Sequence, residues 1–140
     1  MAILNYTTSI ATEKTAAEIQ KKLAMTGAQA VMSEYDKDGV MCAMSFRIDT
    51  MFFRLPINID GVYATLTKDS RVPRRLKTYE QSARVAWRII KDWIEAQIAI
   101  IEAGQAELEQ VFLPYAQNQD GKTLYEVVKD GGFKQLTNGG

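Results

Sequence analysis

Apolar and polar positions alternate, then recur at helical spacing, then alternate again along the first 55 residues. Tyr6, Thr8 and Ile10 take every second place in NYTTSI, the period of a half-buried strand. Thr15-x-x-Glu18 reads as a capping box, and Ala16, Ile19 and Leu23 follow at helical spacing up to Gly27, a left-handed stop. Residues 30–35 read as a strand and Asp36-Lys37-Asp38-Gly39 as a hairpin turn. The return strand alternates strongly, with Val40, Cys42, Met44, Phe46 and Ile48 on one face and Met41, Ala43, Ser45, Arg47 and Asp49 on the other. After a turn at Asp49-Thr50, Met51, Phe53 and Leu55 alternate with Phe52 and Arg54, and Pro56 closes the meander.

The second half is helical. A short helix is expected over 60–66, followed by a basic loop over 68–77 that carries Lys68, Arg71, Arg74, Arg75 and Lys77 around Pro73. Thr78-x-x-Gln81 is a second capping box. From there to Leu113 there is no proline and a single glycine, Gly104, so one helix over about 79–113 is expected, roughly 45–50 Å long. Pro114 ends it, and Thr123-x-x-Glu126 caps a last short helix over 123–129. The predicted fold is therefore α+β in a single domain over 1–140. Its antiparallel β-meander lies within about 5–59 and packs with one long C-terminal helix and short helices.

On a helical wheel the long helix is apolar around about twice the roughly 100° that packing on one sheet requires. Ile90, Trp93, Ile94, Ile98 and Ile101 lie in that wide arc. The excess predicts oligomerisation through the long helix. The alternative is a helix buried centrally within one chain.

Composition narrows the chemistry. Acidic and basic residues balance at 17 each, which argues against a duplex-DNA binder. The absence of histidine removes the commonest acid/base catalyst and the commonest zinc ligand. One cysteine, Cys42, excludes an intrachain disulfide and a multi-cysteine metal site. It reads as a small buried strand residue. Neither a Walker pattern nor a G-x-G-x-x-G loop is present. No enzymatic activity, cofactor or metal is expected. The chain also lacks a signal-peptide pattern and an apolar run of membrane-spanning length, which predicts a protein of a reducing cytoplasm with no membrane partner.

The remaining polar side chains suggest anion binding. Arg84 and Arg88 stand one turn apart on the long helix, with Trp87 at the border of the polar arc and Asp92 one turn on. Two guanidiniums beside an indole can grip phosphates and stack a base. Arg54, next to Phe52 and Phe53 at a strand end, fits the same chemistry. The candidate ligand-binding residues are thus Phe53, Arg54, Arg84, Trp87, Arg88 and Asp92, with Phe52 as an alternative stacking ring. The competing reading of the helix is surface pairing, Arg88–Asp92 and Lys91–Glu95.

Several stretches resemble a family of small phage and prophage proteins, the first Thoeris anti-defence family. They are Asn5-Tyr6-Thr7-Thr8, Lys14-Thr15, Gly27-Ala28, the Asp-Gly hairpin, Arg54-Leu55-Pro56, the run from Arg84 to Gln97 (RVAWRIIKDWIEAQ), Val111-Phe112-Leu113-Pro114-Tyr115 and Thr123-Leu124-Tyr125-Glu126. The likeness spans nearly the whole chain, and the run from Arg84 to Gln97 is its most specific part. The resemblance implies a sponge that binds and sequesters nucleotide immune signals without cleaving them. Those signals are cyclic ADP-ribose isomers made by TIR-domain enzymes and, in some members, cyclic trinucleotides. It also implies an antiparallel sheet with long C-terminal helices, assembly as a dimer or hexamer, and pockets between protomers. Three other readings stand beside it: an oligomeric phage module for single-stranded nucleic acid or a host protein, a phage assembly protein, and a hydrolase of the signal.

Overall fold

The structure, a computed structural model, describes residues 2–138. Its sheet is the expected antiparallel meander: β1 (Ala30–Tyr35), β2 (Met41–Ile48) and β3 (Met51–Arg54), in that order. The first hairpin is set by Asp36, whose Oδ1 accepts from the N–H groups of Asp38 and Val40, each at 2.9 Å. Gly39 supplies the left-handed turn residue at φ +80°. A bulge between Glu34 and Tyr35 shifts the register. The simple alternation therefore fails at the start of β2. Met41 joins Met44 and Phe46 in the main core, while Val40 and Cys42 pack on a smaller cluster with Ile59, Ala83 and Ala86. Cys42 is half-buried rather than enclosed.

The N-terminal expectations need correction. Residues 5–10 form no strand. Asn5 turns left-handed at φ +65°, and the carbonyls of Tyr6 and Thr8 accept from Gln81 Nε2 at 3.0 and 2.8 Å. An extended segment needs a neighbouring edge for its backbone, and here the side chain of Gln81 takes that place. Helix α1 (Thr12–Met25) starts one turn before the expected Thr15–Glu18 box, at Ala11, which has no side chain to cap with. Its apolar face of Ala16, Ile19 and Leu23, and the stop at Gly27 (φ +114°), are as the pattern predicts.

After α2 (Ile59–Lys68), Arg71 clamps Asp69, Val72 is buried, and residues 74–76 form a 3₁₀ turn. The basic stretch is thus anchored rather than a free loop. Helix α3 (Tyr79–Glu102) is shorter than expected, about 36 Å at 1.5 Å per residue. It ends at Gly104 (φ +74°), where Gln105 N–H bonds Ile100 O and Gly104 N–H bonds Ile101 O. This doubly bonded left-handed cap stops a helix as firmly as proline does. A reciprocal Glu107–Gln110 box then opens the separate α4 (Leu108–Phe112).

Helix α3 is central. Trp87, Ile90, Ile94 and Ile98 enter the main core with Phe46 and Phe53. Ala83 and Ala86 meet Ile59, and Val85 meets Leu66 and Val72. Trp93 lies edge-on to Phe112 and Tyr115, at 5.7 and 5.3 Å between ring centres. Its wide apolar arc is thereby accounted for within one chain and does not by itself call for a second copy. No helix among the described residues is long and apolar enough to cross a membrane.

Ile94 and Ile98 are essentially inaccessible in the single chain. Ile98→Ala is expected to lower folding stability by about 2–4 kcal/mol through lost burial and a residual cavity. Ile94→Asp is expected to unfold the chain rather than only dissociate an assembly. Urea denaturation followed by circular dichroism at several protein concentrations checks both. A folded Ile94→Asp monomer would show that α3 is an interface helix.

Candidate functional site

The polar arc of α3 lies beside α1 and the N-terminal segment, with Arg84, Arg88, Lys91 and Asp92 partly covered and Glu95 and Glu102 exposed. Thr78 accepts from Gln81 N–H at 3.1 Å, half of the expected capping box. The side chain of Gln81 turns away to hold the N-terminal segment, and its Oε1 accepts from Arg84 Nε at 3.0 Å. Arg88 donates to Thr15 Oγ at 3.3 Å and to Glu18 Oε2 at 3.1 Å. Asp92 accepts from Asn5 Nδ2 at 2.8 Å. The expected Arg88–Asp92 pair is replaced by these longer-range contacts, while Lys91–Glu95 forms as predicted at 2.6 Å. The Lys91 ammonium is held above its ordinary pKa, chiefly by that hydrogen bond, against an opposing effect of burial.

Two predicted site residues belong to the core. Trp87 is fully enclosed and its Nε1 donates to the Met41 carbonyl at 3.0 Å. Phe53 is equally enclosed, stacked on Phe46 at 5.0 Å. Neither ring presents a face to a ligand. Their aromatic surface is worth more inside a close-packed core than at its edge. Arg84 differs, because beyond its bond to Gln81 it lines an open cleft of about 190 Å³ at the uncapped start of α1. Glu13 and Glu80 line the same cleft, so its charge is mixed.

The outer face of the sheet, opposite the core, brings together what the sequence kept apart. The register pairs Ala30 with Arg47 and Arg47 with Phe52 in one row, and Met32 with Ser45 and Ser45 with Arg54 in the next. Phe52 and Met32 are 49% and 57% exposed. Between them lies a depression of about 140 Å³ floored by Ser45 and bounded by Ala30 and Arg47. Neighbouring strands are about 4.8 Å apart, so the Met32 and Phe52 walls rise from backbones roughly 10 Å apart, enough to admit a flat ring. Arg54 Nη1 pairs with Glu34 at 2.9 Å in a half-exposed ion pair that little energy holds shut. Arg47 Nη1 donates to Gln29 Oε1 and to the Asp49 carbonyl.

Of the predicted residues, Arg54 alone lies on this face, next to the alternative ring Phe52. Sequence reasoning missed Met32, Ser45 and Arg47. The alternation of β2 did place Ser45 and Arg47 together, but only the cross-strand register shows that they stand beside Phe52 and Arg54. No protein-family model, curated protein or solved structure matches the chain.

Arg88 is mostly covered, so Arg88→Ala removes its bonds to Thr15 and Glu18 and leaves Glu18 with Lys91 alone, at 3.6 Å. It is expected to cost about 1–2 kcal/mol of stability, read by urea denaturation. An unchanged midpoint would mean that Arg88 is held only loosely. The Lys91 contribution carries a defined sign. With its pKa raised from 10.5, it is fully present below that value and is lost as the pH climbs through the raised one. A Lys91→Met variant should therefore narrow its stability gap to the parent protein only at strongly alkaline pH.

Proposed function

We propose that the protein binds a small nucleotide on the outer face of its sheet and acts by holding it, without cleaving it. The observation that supports this is the exposed ring of Phe52, with Arg47 as its cross-strand neighbour and Arg54 two residues on along the same face. A base can stack on Phe52 against Met32, and either guanidinium can meet a phosphate. Arg54 must first exchange Glu34 for the ligand, an exchange of one half-exposed ion partner for another. The resemblance to the Thoeris anti-defence family supplies the ligand class: a cyclic ADP-ribose isomer or a cyclic trinucleotide, sequestered in the cytoplasm of an infected bacterium. A depression of about 140 Å³ holds a base and leaves the rest of such a ligand uncovered. This fits the family's use of a second protomer to close the site.

One observation favours a second reading. An open antiparallel sheet with an exposed aromatic between arginines is also a platform for single-stranded nucleic acid.

Calorimetry of the full chain with cyclic ADP-ribose isomers and cyclic trinucleotides is the test. Phe52→Ala and Arg54→Ala are each expected to weaken binding about ten- to a hundredfold, the worth of one stacked base or one charge-assisted contact. Melting temperature should barely change, because both side chains are partly exposed. Heating the complex should release the signal intact. Full affinity in both variants would remove the outer face from the reading, and Arg84→Ala would then probe the cleft at α1. Affinity that rises with oligonucleotide length would favour nucleic acid instead.

A further inference from the structure

Among the described residues, the buried polar side chains are Thr15, Ser45, Gln81, Ser82 and Thr123. All but Ser45 spend their polar atoms inside the fold. Thr15 donates to the Ala11 carbonyl and accepts from Arg88, and Gln81 holds the N-terminal segment. Ser82 donates to the Thr78 carbonyl at 2.7 Å, and Thr123 accepts from Glu126 N–H at the start of α5 (Leu124–Asp130). Ser45 is 4% exposed, and its hydroxyl has no hydrogen-bond partner among the described residues. No side-chain oxygen or nitrogen sealed from solvent there lacks a partner. The Ser45 hydroxyl therefore opens into the depression that it floors.

The strand explains this placement. Met44 and Phe46 point into the core, so Ser45, between them, points out of the middle of the central strand. Valine, isoleucine or threonine is the ordinary occupant of such a position, and a branched side chain would fill the gap between Met32 and Phe52. Serine keeps that gap open and sets one polar atom at its base. The rest of the lining is Ala30, Met32, Phe46, Arg47 and Phe52. The register puts Met32 on one side of Ser45 and Arg54 on the other.

We propose that the Ser45 hydroxyl reads the edge of a ring inserted between Met32 and Phe52, and so selects a nitrogenous base over a hydrocarbon ring. This rests on the nucleotide reading of the outer sheet face and adds the chemistry by which that face chooses its ligand. A hydroxyl both donates and accepts, so it can meet a ring nitrogen, an amino group or a carbonyl of a purine or pyrimidine. Phe52 and Met32 touch the faces of any flat ring and do not discriminate. Arg47 and Arg54 meet the phosphate of any ester. Of these groups, Ser45 alone meets the ring's edge. In the open depression solvent can satisfy its hydroxyl. A ring that covers it must replace those bonds or leave it unpaired at a cost. A site built to hydrogen-bond rejects a ring that lacks the partner more strongly than an apolar site rejects a polar one. A hydroxyl unpaired within the fold adds nothing to folding that alanine would not, so its contribution falls to the ligand.

The test is an NMR titration of the full chain with two probes that share a phosphate ester and a flat ring. One is adenosine monophosphate; the other is phenyl phosphate, whose ring has no polar edge. Ser45→Ala is expected to weaken adenosine monophosphate binding about five- to tenfold, the worth of one hydrogen bond, and to leave phenyl phosphate unchanged. Ser45→Cys, close in shape with a weaker donor, is expected to fall between. The melting temperature of Ser45→Ala should stay level or rise. A lower one would show that the hydroxyl is paired within the fold and overturn the proposal. Equal losses for the two probes, or no loss for either, overturn it as well. Phe52→Ala separates these outcomes from the wider reading. If it weakens both probes while Ser45→Ala weakens neither, the outer face binds rings without reading their edges. If neither probe shifts the Phe52 resonances of the parent protein, the nucleotide reading of this face falls, and the role of Ser45 with it.

Discussion

Helix α3 is pinned to the central strand by one enclosed side chain. Trp87 is inaccessible to solvent, and its Nε1 donates to the Met41 carbonyl at 3.0 Å. An indole N–H left unpaired in that core would carry the full desolvation penalty, so the contact fixes both the depth and the rotation of the helix. Once α3 is rotated to suit Trp87, its isoleucine row at 90, 94 and 98 meets the sheet, and Ala83 and Ala86 meet α2. The charged arc must then face α1.

That last consequence reshapes the functional question. Arginines on a helix next to a tryptophan look like a ligand grip, and here Arg88 instead ties the central helix to α1. Gln81, Arg88 and Asp92 spend their hydrogen-bonding capacity on Tyr6, Thr8, Thr15, Glu18 and Asn5. They replace the strand pairing that the N-terminal segment lacks. Chemistry left over for a ligand is found where the fold leaves surface uncovered, on the outer face of the three-stranded sheet, opposite the face on which α1 and α3 pack.

The two uncovered regions differ in character. The outer face mixes an aromatic ring, arginines and small residues over a shallow floor, a surface suited to a flat, charged small molecule. The surface around α5 is apolar, with Leu124, Tyr125, Phe133 and Leu136 exposed. They meet at β3, where Phe52 presents its ring to one side and its carbonyl accepts from Gln117, in the segment that leads to α5.

Periodicity and turn chemistry in the sequence determined the meander, its Asp-Gly hairpin, α1's apolar face, the Thr123–Glu126 cap and the α+β class, because each is specified by residues near one another along the chain. Helix ends were less legible. Gly104 reads as a tolerated glycine until its left-handed φ and the carbonyls it satisfies are seen, and Thr15 reads as a cap until Arg88 is found on its hydroxyl. The strand expected over 5–10 failed for the same reason, since its backbone partner is a glutamine more than 70 residues away. Only the tertiary structure decided which aromatics are core and which are surface. Phe52 and Phe53 are adjacent and chemically identical, and a period of two sends one into the core and the other to the open face. Which is which depends on the side of the sheet that α3 covers, and that is settled by contacts between residues far apart in the chain.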